Sequence, residues 1–186
     1  MNDPRSSLDL PVPDDDGAAD HLPGKRLPAI ELPASDGRSV RLDELPTRSL
    51  VFVYPGIGGP GRDDLLEEWT AVPGARGCTP EACSFRDELA GFQAAGVAVF
   101  GLASQSSSSQ REHVQQLELS YPLLSDERLQ LSETLALPTF DFHGHRYFKR
   151  LTLITAEARI EAVLYPVFPP DEAAAQALRW LTRHPR

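Results

Sequence analysis

The chain of 186 residues fits one domain, which is long enough to bury a hydrophobic core without disulfide or metal support. Its formal net charge of −9 repels phosphate backbones and anionic lipid surfaces, so nucleic acid is not an expected partner. No apolar run approaches the ~20 residues of a membrane-spanning helix, and the N-terminus lacks a basic segment followed by a hydrophobic one. We therefore expect a cytoplasmic protein that does not associate with membranes.

The N-terminal segment is rich in Asp, Pro and Ser and has little apolar periodicity. Such a segment buries too little apolar surface to offset the entropy of ordering it, so residues 1–21 are predicted to form a flexible tail. The domain is expected to span residues 22–186. It should open with a β-hairpin, because residues 27–32 and 39–42 flank an Asp-Gly pair typical of tight turns.

Residues 49–54 form a nearly continuous apolar run that ends at Pro55, a pattern typical of a buried central strand. Residues 56–77 are rich in Gly and Pro, which predicts a long loop whose residues 63–69 form one or two helical turns. Apolar residues three or four positions apart predict an amphipathic helix over residues 80–95.

Strand and helix patterns alternate through the rest of the chain. The predicted strands are 97–103, 121–124, 151–155 and 160–165, and the predicted helices are 106–118, 127–135 and 171–184. This alternation indicates an α/β fold with a central mixed β-sheet flanked by helices.

Two cysteines, Cys78 and Cys83, lie in the segment Gly-Cys-Thr-Pro-Glu-Ala-Cys at residues 77–83. In a reducing compartment a pair of thiols is typical of catalysis, redox sensing or metal binding. Cys78 falls at the predicted start of a helix, where unpaired N–H groups and the helix dipole stabilise a nucleophilic thiolate. Residues five positions apart on a helix have Cα atoms about 8–9 Å apart, whereas a disulfide tolerates at most about 7 Å. A disulfide between the two cysteines therefore requires the first turns of the helix to unwind.

Two simpler interpretations of the cysteines stay open. Cysteine is among the most buried residue types, so both thiols could be inert parts of the core. A zinc site could combine them with His143 and His145, which are expected in a loop before Arg150, but the usual ligand spacing is missing.

The order of these motifs resembles the peroxiredoxins, and among them the bacterioferritin comigratory protein or peroxiredoxin Q group. The shared features are Tyr-Pro after a buried strand, the two-cysteine segment at 77–83, Phe-Arg-Asp at 85–87, Tyr-Pro-Leu-Leu-Ser-Asp at 121–126 and the strand at 150–154. The resemblance extends from about residue 22 to the C-terminus. It implies a thioredoxin-like fold and a thiol peroxidase.

The resemblance also implies roles for four residues. Cys78 matches the peroxidatic cysteine, and Cys83 matches the resolving cysteine of members that form an intramolecular disulfide. Glu81 matches a position that helps to order the site, and Arg150 matches an arginine that approaches the cysteine from a neighbouring strand. A fixed cation stabilises a thiolate and a peroxide oxygen. The implied partners are a hydroperoxide substrate and thioredoxin or a similar dithiol reductant, with no metal or organic cofactor, in a monomer or weak homodimer.

One part of the chain departs from the pattern of this group. The group usually has a proline and a threonine upstream of the peroxidatic cysteine, at the positions of Ala71 and Ala75. Pro55 is a candidate for the proline, with residues 56–76 inserted after it. Thr70 is a candidate for the hydroxyl, unless no residue replaces it. Two other functions stay open: a thioredoxin-fold disulfide reductase, whose C-x-x-C signature is shorter than this spacing, and a non-enzymatic redox sensor.

Overall fold

The structure, a computed structural model, describes residues 10–185. Its strands are β1 Glu31–Pro33, β2 Ser39–Arg41, β3 Arg48–Val53, β4 Ala98–Ala103, β5 Leu123–Ser125, β6 Thr139–Phe142, β7 His145–Phe148, β8 Leu151–Ala156 and β9 Arg159–Leu164. Its α-helices are α1 Leu66–Ala71, α2 Cys78–Asp87, α3 Leu89–Ala94, α4 Ser107–Gln116, α5 Gln130–Thr134 and α6 Ala173–Arg183. None of the helices in this described part is long and apolar enough to cross a membrane.

A five-stranded sheet in the order β5-β4-β3-β8-β9 forms the centre of the protein. β3 is parallel to β4 and β4 is parallel to β5, whereas β8 is antiparallel to both β3 and β9. β1 and β2 form a separate antiparallel hairpin before the sheet. The predicted α/β fold, with a mixed central sheet and an N-terminal hairpin, is confirmed. The buried strand predicted over residues 49–54 is β3.

Hydrophobic clusters cover both faces of the sheet. Successive residues of a strand point to opposite faces, so Leu50 and Phe52 of β3 join one cluster, while Val51 and Val53 join the other. The first cluster includes residues of α2, α3 and α6, and the second includes residues of the β1–β2 hairpin and α5. Because both sides of β3 are covered, its apolar residues form a continuous run instead of an alternating one.

The helix predicted over residues 80–95 is divided into α2 and α3. Glu88 lies between them with φ −96° and ψ 6°, outside regular helical geometry. Phe85, Leu89 and Phe92 nevertheless pack against the same hydrophobic cluster. The apolar spacing therefore continues across the break, which is why the sequence pattern predicts a single helix.

The loop expected before Arg150 is a β-hairpin formed by β6 and β7. His143 and Gly144 make its turn, with φ values of 47° and 78°. A histidine with positive φ is uncommon, and this turn lacks the Asn-Gly or Asp-Gly pair that marks most two-residue hairpin turns. The loop prediction was wrong because the short strands carry no such turn signal.

The structure describes part of the predicted N-terminal tail. Residues 1–9 lie outside the described residues. Within residues 10–21, the Asp16 carboxylate accepts a hydrogen bond from Lys149 at 2.6 Å and another from Tyr165 at 2.7 Å. These two contacts lower the pKa of Asp16 well below its ordinary value. The boundary between tail and domain stays a prediction.

Candidate active site at Cys78

Cys78 is the first residue of α2, and the glycine before it determines how the chain enters this helix. Gly77 has a φ of 104°, a conformation that glycine adopts far more readily than other residues. A Cβ atom at this position would lie 2.3 Å from Cγ of Pro170. The positive φ and the close approach of Pro170 both require glycine here. Together they fix Cys78 at the N-terminus of α2.

The Cys78 sulfur is buried among polar groups, and only 3% of the residue is exposed. Nη2 of Arg150 donates a hydrogen bond to this sulfur at 3.2 Å, and the backbone N–H of Gly56 donates another at 3.4 Å. The carbonyl oxygen of Ala75 lies 3.6 Å away and can accept from the thiol. Two hydrogen-bond donors, one of them cationic, therefore face this sulfur.

A buried ion pair holds Arg150 against the sulfur. Arg150 directly precedes β8, and its Nη1 donates to Oε2 of Glu81, which lies one turn along α2 from Cys78. Nη2 of Arg150 also donates to the carbonyls of Gly74 and Arg76, at 3.2 and 3.1 Å. The two ion-pair side chains are 2% and 0% exposed, so each buried charge depends on the other. The ion pair therefore fixes the orientation of the guanidinium.

Cys83 lies in the interior of α2, where it is half-buried, and both cysteines are free thiols. On a regular helix its Cα is about 8–9 Å from that of Cys78, and the two side chains point in directions about 140° apart. A disulfide tolerates at most about 7 Å between Cα atoms. The structure thus brings Cys78, Glu81 and Arg150 together and leaves Cys83 beyond bonding distance.

The candidate for the missing hydroxyl, Thr70, contacts other groups. Its Oγ1 donates to the carbonyl of Leu66 at 2.7 Å and accepts from Arg76 at 2.8 Å. Pro55 directly precedes Gly56, whose N–H contacts the sulfur, and its correspondence to the missing proline stays a prediction. Sequence reasoning missed this donor, since a backbone N–H leaves no mark on the residue type.

Two tyrosines belong to the same hydrophobic cluster as Cys78. Tyr54 is completely buried, and the hydroxyl of Tyr121 donates to the carbonyl of Ala82 at 2.6 Å. Burial raises the pKa of both tyrosines well above the ordinary value, and the charge of Cys78 adds to the effect at Tyr54. Both phenol groups therefore stay neutral.

The segment between β3 and α2, which is predicted from the sequence to be an insertion, packs on the β6–β7 hairpin. The ring of Trp69 is buried and lies 4.8 Å from the ring of Tyr147, between centroids. Glu68 pairs with Nε2 of His143 at 2.8 Å, and His145 is exposed at the start of β7. Among residues 10–185 no three His, Cys, Asp or Glu side chains come together in a way that could hold a metal ion. The two histidines therefore do not join the cysteines.

The protein has a mixed central sheet, and on a helix packed against that sheet a buried cysteine lies at the N-terminus with an arginine beside its sulfur. These features define a thiol site on a thioredoxin-like fold. A model of the Redoxin family matches residues 22–178, so the chain belongs to this family. The similar proteins described next confirm the resemblance to the peroxiredoxin Q and bacterioferritin comigratory protein group.

Relatives of known sequence or structure cover most of the chain. Chloroplastic peroxiredoxin Q of Suaeda salsa is 28% identical over 159 residues, which are 85% of this chain and 66% of that protein. Peroxidoxin BcpB from Mycobacterium tuberculosis has a TM-score of 0.69 at 23% identity, covering 87% of this chain and 97% of that chain. The bacterioferritin comigratory protein of Xanthomonas campestris has a TM-score of 0.67 at 21% identity. The match covers 85% of this chain and 96% of that chain.

The chain is shorter than its plant relatives. It spans 66% of the length of the Suaeda salsa protein and 65% of the length of peroxiredoxin Q from Oryza sativa subsp. japonica, just under two thirds in each case. The two solved structures are covered almost completely, and they confirm the thioredoxin-like fold.

Proposed function

We propose that the protein is a thiol-dependent peroxidase that reduces hydrogen peroxide and organic hydroperoxides. The Cys78 thiolate attacks one oxygen of the hydroperoxide, so that an S–O bond forms while the O–O bond breaks. The leaving oxygen takes up a proton and departs as water or an alcohol, and Cys78 is oxidised to a sulfenic acid. The contact between Arg150 and the Cys78 sulfur carries this proposal. A fixed cation stabilises both the thiolate and the negative charge that develops on the leaving oxygen.

Cys83 is the proposed resolving residue. Its thiolate attacks the sulfur of the Cys78 sulfenic acid, an S–S bond forms, and the hydroxyl leaves as water after protonation. Because the two cysteines are too far apart on an intact helix, the first turns of α2 unwind before this step. Attack on peroxide and formation of the disulfide therefore belong to two conformations of the same helix.

An external dithiol protein, for which we propose thioredoxin, reduces the disulfide to two thiols and is itself oxidised. None of these steps uses a metal or an organic cofactor. Family membership supports a hydroperoxide substrate, as does the solved Xanthomonas campestris protein, which is described with an alkyl peroxide reduction activity.

The remaining proposals concern the setting of the enzyme. We place it in the cytoplasm as a monomer or weak homodimer, with a tail at residues 1–21 and a domain at residues 22–186. The net charge of −9 supports the absence of nucleic-acid and anionic-membrane partners.

Rapid mixing of the reduced protein with hydrogen peroxide tests the proposed function. The fluorescence of Trp69 and Trp180 follows the reaction, and mass spectrometry identifies the product. We expect a fast reaction that yields a Cys78–Cys83 disulfide, and no reaction in Cys78→Ser. Thiols that stay intact in excess peroxide would overturn the proposal and favour a redox sensor. Reduction of insulin disulfides as fast as by thioredoxin would favour a disulfide reductase.

A further inference from the structure

The Gly56 N–H that contacts the Cys78 sulfur lies at the start of a glycine-rich segment, just after Pro55. Gly58, Gly59 and Gly61 follow it, with φ values of 82°, 75° and 74°. Glycine-rich backbone samples many conformations in the absence of contacts. Within this segment the N–H of Gly59 donates to the carbonyl of Gly56 at 3.3 Å, and contacts from outside the segment add to this restraint.

The side chain of Gln105 provides such contacts. Its Oε1 accepts from the N–H of Ile57 at 2.9 Å, and its Nε2 donates to the carbonyl of Ile57 at 2.9 Å. The same amide group lies 3.4 Å from the position that a Cβ atom on Gly56 would occupy. One side chain thus satisfies both backbone polar groups of the residue after Gly56, in the way that a paired strand satisfies its neighbour.

The central sheet holds Gln105 in turn. Gln105 follows β4, and because β3 and β4 are parallel, the chain leaves both strands at the same edge of the sheet. The hydroxyl of Ser125, on the next parallel strand β5, donates to the Gln105 carbonyl at 2.7 Å. A continuous line of hydrogen bonds therefore runs from β5 through Gln105 and Ile57 to the segment that contacts the Cys78 sulfur.

We propose that Gln105 is a positioning residue of this site, which, through its two hydrogen bonds to Ile57, orients the Gly56 N–H toward the Cys78 sulfur. A donor that is already oriented stabilises developing charge without reorganising during the reaction. The kinetic consequence rests on the proposed peroxidase function. The hydrogen bond from Gly56 to the sulfur exists whatever reaction the site performs.

Gln105→Met tests the kinetic consequence, because methionine has a similar length and no amide. The matched control is Gln176→Met, which removes another partly buried amide, one that donates to the carbonyl of Phe168 at 2.9 Å. We expect Gln105→Met to lower the rate constant for reaction with hydrogen peroxide roughly 10- to 100-fold, the effect of losing a hydrogen bond to a charged group. Gln176→Met should keep the wild-type rate. A wild-type rate in Gln105→Met, or an equal loss in both variants, overturns the inference.

A second measurement does not depend on how well a Gln105 variant folds. The amide resonance of Gly56 in the reduced wild-type protein is followed by NMR through a pH titration, with Cys78→Ser as the control. We expect the Gly56 amide proton to shift in step with ionisation of Cys78 and to stay constant in Cys78→Ser. A Gly56 amide chemical shift that does not change when Cys78 ionises overturns the inference, even if peroxide is reduced rapidly. A responsive resonance in a protein that does not reduce peroxide supports the contact between the Gly56 N–H and the sulfur, which Gln105 is proposed to orient, and removes only the peroxidase proposal.

Discussion

The two cysteines of α2 lie in contrasting environments on one short helix. Cys78 is 3% exposed, and its sulfur is within hydrogen-bonding distance of a guanidinium, a backbone N–H and a carbonyl. Cys83 is half-buried, and its electrostatic neighbours are Arg86 and Tyr121. A thiol that attacks an external molecule benefits from groups that are fixed in advance, whereas a thiol that reacts afterwards has to be able to approach. In the proposed mechanism, this contrast corresponds to a preorganised first step and a second step that depends on motion.

Cys83→Ala separates the two steps most completely. We expect the variant to react with one equivalent of hydrogen peroxide at the wild-type rate, because no group in contact with the Cys78 sulfur is changed. Turnover coupled to thioredoxin should fall to background, since the intramolecular disulfide that thioredoxin reduces cannot form. Single-turnover fluorescence measures the rate of the first step, and consumption of peroxide coupled to thioredoxin measures turnover. Trapping with dimedone detects the sulfenic acid. Sustained cycling of the variant with thioredoxin would contradict the resolving role of Cys83.

Loss of the Arg150 guanidinium should have the next largest effect, because it removes a donor to the Cys78 sulfur and the partner of Glu81. Arg150→Met by itself leaves Glu81 as a buried, unpaired carboxylate, which destabilises a protein by about 3–5 kcal/mol. The informative variant is therefore Arg150→Met/Glu81→Gln. We expect its reaction with peroxide to be about 100- to 1,000-fold slower, as for removal of a preorganised donor in other active sites. Rapid-mixing kinetics measure this loss.

The control for the double variant is a second, partly buried ion pair. Arg48 is 8% exposed and donates to Glu161 at 3.1 Å, and it lies at the start of β3, whereas Gly56 follows the other end of this strand. Arg48→Met/Glu161→Gln makes the same chemical change and should keep the wild-type rate. If both double variants are slowed equally, the loss reflects a general weakening of the fold.

The sequence could predict the elements that carry the two cysteines but not the full set of groups around the reactive sulfur. The apolar run of β3 and the residue spacing of the helix bearing Cys78 are local patterns, and both elements are present. The resemblance to peroxiredoxins pointed to Arg150 and Glu81, which the structure brings to Cys78. Gly56 acts through its backbone, and its residue type says nothing about a donor.

Contacts between distant segments explain most of what sequence reasoning missed. Gln105 reaches Ile57 only because β3 and β4 are adjacent parallel strands. Trp69 is buried only because the segment between β3 and α2 packs on the β6–β7 hairpin. Neither pairing produces a periodic pattern within its own segment, so no window of residues could indicate it.

Gly77→Ala tests how strictly the Cys78 end of α2 is fixed. Alanine at this position adopts a strained positive φ and brings its Cβ to 2.3 Å from Cγ of Pro170. We expect the free energy of unfolding to fall by roughly 2–4 kcal/mol, measured by urea denaturation. Gly96→Ala is the control, because Gly96 has a φ of 68° but no atom within 4 Å of the added Cβ. Its loss should be about 1 kcal/mol. Equal losses would show that the contact with Pro170 contributes nothing.

The smallest expected effect concerns His113 on α4, whose ring lies beside the glycine-rich segment that supplies the Gly56 donor. Burial lowers the pKa of His113 below its ordinary value of 6.5, and Nδ1 has no hydrogen-bond partner within residues 10–185. On acidification the unfolded chain binds this proton first, so the folded state loses stability as pH falls below about 6.5.

His113→Gln removes the titrating group. It should reduce the loss of free energy of unfolding at acidic pH by less than about 1 kcal/mol, because solvent screens a half-exposed ring. Urea midpoints measured at about pH 8 and about pH 5 test this against His145→Gln, which replaces an exposed histidine on β7. If His113→Gln loses as much stability on acidification as the wild-type protein, then protonation of the His113 ring does not contribute to that loss.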